Sequence, residues 1–271
     1  MKLDNKGFAI SSIMYIILVM AVILIAVTLA LLSSRNLILE KIKDEAINDV
    51  YTISFAKDSW ERIVNNIKNG KTSRYKVGDT KEIILTGFGT FTVRIANKST
   101  PEECSTSGFS QTACGFVVEF VDIIENKTMN STATNVGGWK DSAMRTYVND
   151  TIYNALPKEL RDKIIDTTVV SGYGLNDAPN KVSTDKLYLL APKEVWGKEV
   201  SKDTASSQTR KLDFYGITTD YSTLKKSGSS WWLRTPSSNS TEAFYLVGYN
   251  ATNPTNYATS ESGVAPAFRI G

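Results

Sequence analysis

Cys104 and Cys114 are the chain's only thiols, and they bracket the small, polar segment STSGFSQTA. On an exported chain such a pair reads as a local disulfide, a bond that persists only in an oxidising compartment. Two free thiols are the alternative. A structural zinc site takes four Cys or His ligands, so these two sulfurs cannot make one. Histidine is absent from all 271 residues. That removes the commonest general base, the commonest metal ligand and every Ser-His or Cys-His nucleophile pair. Acid–base chemistry then falls to carboxylates. Asp141 and Glu194 are the candidates for an exported hydrolase, but no paired-carboxylate spacing supports them. Asp177 in GLNDAPN and the pair Asn149-Asp150 offer oxygens of the kind calcium takes, without the alternating acidic spacing of a calcium loop. No catalytic residue, metal site or cofactor is assigned, and the expectation is a protein that is not an enzyme.

Aromatic side chains offer the other chemistry. In WWLRTP (Trp231–Pro236), strand alternation sends Trp231 and Leu233 to the core, joined there by Phe244 and Phe268. Trp232 and Tyr245 fall on the opposite faces and read as exposed stacking platforms, extended by the loop residues Tyr249 and Tyr257. Such aromatic faces hold sugar rings or partner side chains, so a carbohydrate or a protein is the expected ligand. Arg145, Arg234 and Arg269 are expected to bond carboxylates or backbone carbonyls rather than to clamp a ligand.

The elements that carry these residues start with Phe8 to Leu32, 25 residues without a charged side chain. As a helix it is about 37 Å long, enough to cross a hydrocarbon core of roughly 30 Å. A cleaved signal peptide has a shorter apolar run, and a buried core helix is usually polar on one face. The segment 8–32 therefore reads as a single membrane span, with the lipid bilayer as a partner. Lys2 and Lys6 favour an N-terminus in the cytoplasm and the bulk of the chain outside. Beyond the span, Ile42, Ala46, Val50, Ile53, Trp60, Ile63 and Ile67 recur at helical spacing, and no Gly or Pro intervenes before Gly70. An amphipathic stalk helix is expected over 33–70.

From Lys71 the texture changes to short strands and turn residues. Strands are expected over 81–85, 90–95, 115–124, 167–170, 186–190, 230–234, 243–249 and 264–270. Helices are expected from Asp141 or Ser142 and from Pro157, with a helical turn from Pro192 to Gly197 and an exposed loop over 201–209. Residues 71–271 make one mixed, mostly antiparallel α+β domain, large enough for a real core. Formal net charge is +3. Most of that excess flanks the span, so the domain lacks the basic footprint that nucleic acid requires, and none is expected as a partner.

The leader MKLDNKG (1–7), ending in Lys6-Gly7 before Phe8 and an apolar helix, resembles the N-terminus of type IV prepilins and pseudopilins. The resemblance implies cleavage between Gly7 and Phe8 by a prepilin peptidase on the cytoplasmic face, with other pilin-like subunits as partners. That family carries Glu at the fifth mature position, where this chain has Ser12. The resemblance therefore carries processing and leaves filament assembly open.

Further along, YKVGD (Tyr75–Asp79), GGWKDSAMR (Gly137–Arg145), WWLRTP and GVAPAFRI (Gly263–Ile270) resemble, in that order, an uncharacterised bacterial surface-domain family. Its members carry GGWxxSxxR, WWLRSP and a terminal GVRPAF. This marks Gly138, Trp139, Ser142, Arg145, Trp231, Arg234 and Phe268 as structural motif residues, while Thr235 and Ala265 depart from the pattern. The closing strands are similar to those of C-type-lectin-like folds. Together the resemblances imply a membrane-anchored, surface-displayed pilin-like or adhesin-like protein. A signal-anchored structural domain without filament assembly is the alternative.

Overall fold

The computed structural model describes residues 5–52, 54–200, 203–217, 224–227, 229–248, 252 and 254–271, with side chains described over 13–43 and from 54 onward. The chain divides into two units, 1–53 and 54–271. The first unit is one helix, α1 (Asn5–Thr52). Its segment Ile13–Lys43 is long and apolar enough to cross a membrane, and none of it is buried. Gly7 and Phe8 fall in its first turns, while most of the leader, 1–4, lies outside the described residues.

The stalk helix expected as far as Gly70 is not continuous. A turn over 55–58 precedes a separate helix, α2 (Trp60–Lys68). Ser59 is extended, and its hydroxyl accepts from the Arg62 N–H at 3.2 Å, which starts α2 afresh as an N-cap. The apolar stripe in this stretch packs within its own unit: Phe55, Trp60, Ile63 and Val64 are buried, and the Tyr75 hydroxyl donates to Asp58 at 2.6 Å. The second half of the expected stalk is thus part of the domain.

In chain order the domain continues with strands β1 (Thr80–Leu85), β2 (Gly89–Asn97), β3 (Val117–Phe120) and β4 (Asn126–Thr128). Helix α3 (Ala143–Tyr147) runs through a π-turn (Val148–Ile152) into α4 (Tyr153–Ala155), followed by α5 (Lys158–Arg161). Next come β5 (Thr167–Ser171), β6 (Lys181–Asp185), α6 (Pro192–Trp196) and α7 (Asp213–Ile217). The chain closes with β7 (Trp231–Pro236), β8 (Ala243–Val247), β9 (Thr255–Tyr257), β10 (Glu261–Gly263) and β11 (Ala267–Arg269). These strands form a four-stranded sheet β1-β2-β3-β11, a five-stranded sheet β4-β10-β7-β8-β9 and the ribbon β5-β6. All pairings are antiparallel except Gly263 with Trp231, which is parallel. This is an α+β domain.

Local sequence explains the outer strands well. In β1, Ile83 and Leu85 point into the core while Glu82 and Ile84 stay exposed, the alternation of a half-buried strand. The strand expected over 186–190 is displaced. The ladder with β5 is made instead by the polar KVSTD of β6. Leu187–Leu190 is apolar on both faces and runs through the interior, stitching the sheets together. Tyr188 exchanges backbone bonds with Ala267 of β11, and Leu190 accepts from the Arg234 N–H of β7. The loop expected to be exposed over 201–209 also differs: Asp203, Ala205, Ser206 and Thr209 are buried.

Candidate functional site

Strand β7 occupies the middle of the five-stranded sheet, and all six residues of WWLRTP are buried. Trp232 is therefore not a stacking platform. It is 0% exposed, and its indole N–H donates to the Lys127 carbonyl at 2.7 Å. Alternation predicts opposite faces for the two tryptophans but not that both faces of a central strand are covered. Trp231 is equally buried, donating to the Leu224 carbonyl at 2.8 Å. Tyr245 is also overturned as an exposed platform, at 5% exposure on β8. Tyr249 lies outside the described residues. Tyr257 remains at the surface, 58% exposed on the edge strand β9.

Arg234 reaches from β7 to Glu194 on α6. Its two terminal nitrogens donate to the carboxylate at 2.7 and 2.6 Å, and its Nη1 also reaches the Leu189 carbonyl at 3.0 Å. Glu194 further accepts from Thr112, from Thr209 at 2.7 Å and from the Ala191 N–H at 2.8 Å. Burial pushes this carboxyl up, but the Arg234 charge and these donors outweigh it and hold it below the usual range. Glu194 has no exposed surface and Asp141 sits on the outside, so the two candidate acids of a hydrolase do not face a common cleft.

GGWKDSAMR is organised around Asp185, the last residue of β6. The Trp139 indole donates to its Oδ2 at 2.8 Å, Arg145 Nε to its Oδ1 at 2.6 Å, and Ser183 adds a third bond at 2.8 Å. Ser142 caps α3 by accepting from the Arg145 N–H at 3.1 Å. Gly138 sits at φ +59°, and a Cβ there would lie 2.8 Å from the Gly172 carbonyl, so only glycine fits. The Gly137 N–H donates to Asp177, which is also paired with Lys181 at 2.9 Å. Asp177 is engaged in holding this turn, and Asn149 is bonded to the backbone of 186–187. Among the described residues no group of three or more His, Cys, Asp or Glu converges as a metal site.

The closing motif is likewise built inward. Phe268 packs edge-on against Phe120 at 6.4 Å, and Ala265 is fully buried. Arg269 donates to the Cys114 carbonyl at 2.8 Å. Cys104 and Cys114 form a disulfide.

All three tail motifs thus lock the interior, which is what a shared domain core would preserve. The family described as a domain of unknown function (DUF6273) matches residues 117–271, more than half of the chain. The chain belongs to the DUF6273 family. The DUF6273 match contains all three motifs but leaves out YKVGD, the disulfide and β1–β2. The shared region is therefore narrower than the one from Tyr75 onward that the resemblance implies. No curated protein and no solved structure matches the chain.

Sequence reading missed a buried ion cluster at the edge of the DUF6273 region. Glu119 on β3 meets Arg94 at 2.8 Å, Lys226 at 2.7 Å and the Tyr215 hydroxyl at 2.8 Å. Burial raises the Glu119 carboxyl, but Arg94 and Lys226 overcome this and hold it at about 2. Burial in turn lowers the Lys226 ammonium to about 8, with Glu119 opposing. Sequence reading also missed a polar recess of about 430 Å³ lined by Asn126, Ser229, Ser230, Leu246, Asn256, Glu261 and Ser262. No motif marks it, because its polar residues are scattered singly along the chain.

Proposed function

We propose that this is a single-pass, membrane-anchored protein whose DUF6273 domain is displayed outside the cell as a non-enzymatic binding head. The observation that carries this reading is Ile13–Lys43, a helical segment with no buried residue that is uncharged from Ile13 to Ser34. An uncovered apolar rod of this length has a lipid bilayer as its natural solvent. The Cys104–Cys114 disulfide supports an oxidising, extracytoplasmic location for the domain. Lys2 and Lys6 support a cytoplasmic N-terminus.

The Lys6-Gly7-Phe8 junction supports processing of the pilin type by a prepilin peptidase. Ser12, in place of the acidic residue that pairs with a neighbour's new amino terminus, favours a display anchor over a filament subunit. The pilin-like and lectin-like readings both belong to this proposal. So does binding of a carbohydrate or protein ligand, for adhesion or capture.

Protease shaving of intact cells, with mass spectrometry of the mature N-terminus, tests it. Head peptides released from intact cells, with a chain beginning at Phe8, are expected. A head protected from protease and released in the soluble cytosolic fraction would refute the anchor. A chain retaining Met1 in cells with active prepilin peptidase would refute the processing alone.

A further inference from the structure

The polar recess opens where the five-stranded sheet splits. β10 and β7 share the pair Gly263–Trp231, held by the Gly263 N–H donating to the Ser230 carbonyl at 3.0 Å. Glycine permits this approach, since a Cβ on Gly263 would lie 2.9 Å from that carbonyl. Upstream of the pair the strands share no further register, and Ser229-Ser230 faces Glu261-Ser262 across the gap. Asn126 of β4 closes one side and Asn256 of β9 the other, while Leu246 of β8, 4% exposed, is the one apolar residue among the described lining.

The side chains of Asn126, Ser229, Ser230, Glu261 and Ser262 bond no other described residue. Asn256 spends its Oδ1 on the Tyr257 N–H and leaves its amide donors free among the described residues. Ser262 lines the recess although the residue is only 7% exposed, and its hydroxyl bonds no other described residue.

The lining identifies the chemistry. Among the described residues it contains no Lys or Arg, which argues against phosphate, sulfate or carboxylate ligands. It has one carboxylate, too few for a divalent cation, which takes six or more oxygens. What it offers is a mixture of hydroxyl and amide donors and acceptors and a carboxylate acceptor, with little apolar surface. A neutral ring bearing several hydroxyls matches each of these. We propose that this recess binds a neutral sugar residue of a glycan chain. The inference deepens the binding reading above and rests on it, but it does not depend on membrane topology or processing.

Saturation-transfer NMR on the full chain in detergent tests it. The probes are the methyl glycosides of glucose, galactose, mannose and N-acetylglucosamine, each at about 10 mM, enough to fill a site of roughly millimolar affinity. Glu261→Gln and Asn126→Ala change exposed side chains that have no partner among the described residues, so both variants are expected to fold, with unchanged melting temperatures as the check. Glu82→Gln, on the other sheet, is the matched control. At least one glycoside should show transfer, weakened about tenfold or more by each recess substitution and unaffected by the control. Transfer that survives both recess substitutions overturns the assignment of this site while leaving a glycan-binding head. No transfer from any glycoside overturns the sugar proposal itself, and the shaving experiment still judges display separately.

Discussion

Arg234 and Glu194 face each other through two parallel hydrogen bonds of 2.7 and 2.6 Å, with neither side chain exposed. The pair joins the central strand β7 to α6, and both partners have their remaining bonding capacity filled from the same surroundings. Removing one partner leaves the other as an uncompensated interior charge. Arg234→Met should destabilise the domain by about 3–5 kcal/mol. Arg234→Lys should recover only part of this, because an ammonium cannot repeat the two-pronged geometry. Chemical denaturation of the detergent-solubilised chain, followed by tryptophan fluorescence, measures both. A lysine variant as stable as the parent would mean that charge alone matters here.

Asp185 is a second hub of this kind, one carboxylate serving three side-chain donors. Asp185→Ala strands the Trp139 indole N–H, Arg145 Nε and the Ser183 hydroxyl together, whereas Arg145→Ala takes one donor from Asp185 and two exposed bonds to the Lys140 and Thr184 carbonyls. An unsatisfied buried donor costs about 1–3 kcal/mol. Asp185→Ala should therefore lower stability by at least about 2 kcal/mol more than Arg145→Ala. Equal losses from the two substitutions would show that the ion pair, not the hub, holds GGWKDSAMR in place.

These two centres mark the limit of what the sequence discloses. The long apolar helix, the β1–β2 hairpin and the Ser142 cap are written in local pattern: absence of charge, period-two alternation, and a hydroxyl three residues before a helical N–H. The arginines of the motifs are visible as residues that need acceptors, but not which acceptors. Glu194 lies 40 residues from Arg234, and Asp185 lies 40 from Arg145, with no periodic relation between them. Glu119 is more remote still, since its Tyr215 partner is 96 residues away. Trp232 misleads for a related reason. Alternation assigns a face, while exposure depends on what the rest of the chain lays over that face, and β7 is central.

Asp203 gives a pH dependence of determinate sign. Burial pushes its carboxyl from 3.8 up to about 6, assisted by Glu194 and Glu199 and opposed by the Ala205 N–H and Arg234. Its Oδ2 has no hydrogen-bond partner among the described residues. Between those two values the native chain holds a proton that the unfolded chain releases. The resulting stability is complete below about pH 4 and falls as pH rises through about 6, a change of roughly 3 kcal/mol. Asp203→Asn keeps the side-chain oxygen that caps Ala205 and removes the charge. The variant should melt higher than the parent at pH 7.5 and show no advantage at pH 4.5. The same gap at both pH values would exclude Asp203 as the titrating group.

The disulfide invites a local prediction as well as a global one. Closing the loop between Cys104 and Cys114, a sequence separation of 10, should stabilise the domain by about 3 kcal/mol in the chain-entropy account, which reduction or Cys104→Ser removes. The two ends of the loop are anchored unequally. The Cys114 carbonyl accepts from Arg269, and Asn97 holds the Ala113 and Gly115 carbonyls at 3.3 and 2.9 Å. Around Cys104 the bonds are made within its own short turn, from Cys104 N–H to Pro101 and from Thr106 N–H to Glu103. Reduction should therefore raise hydrogen exchange over 102–109 by an order of magnitude or so, while 111–115 stays protected by β2 and β11. Uniform loosening of both halves would mean that the covalent bond, rather than Asn97 and Arg269, fixes this corner of the sheet.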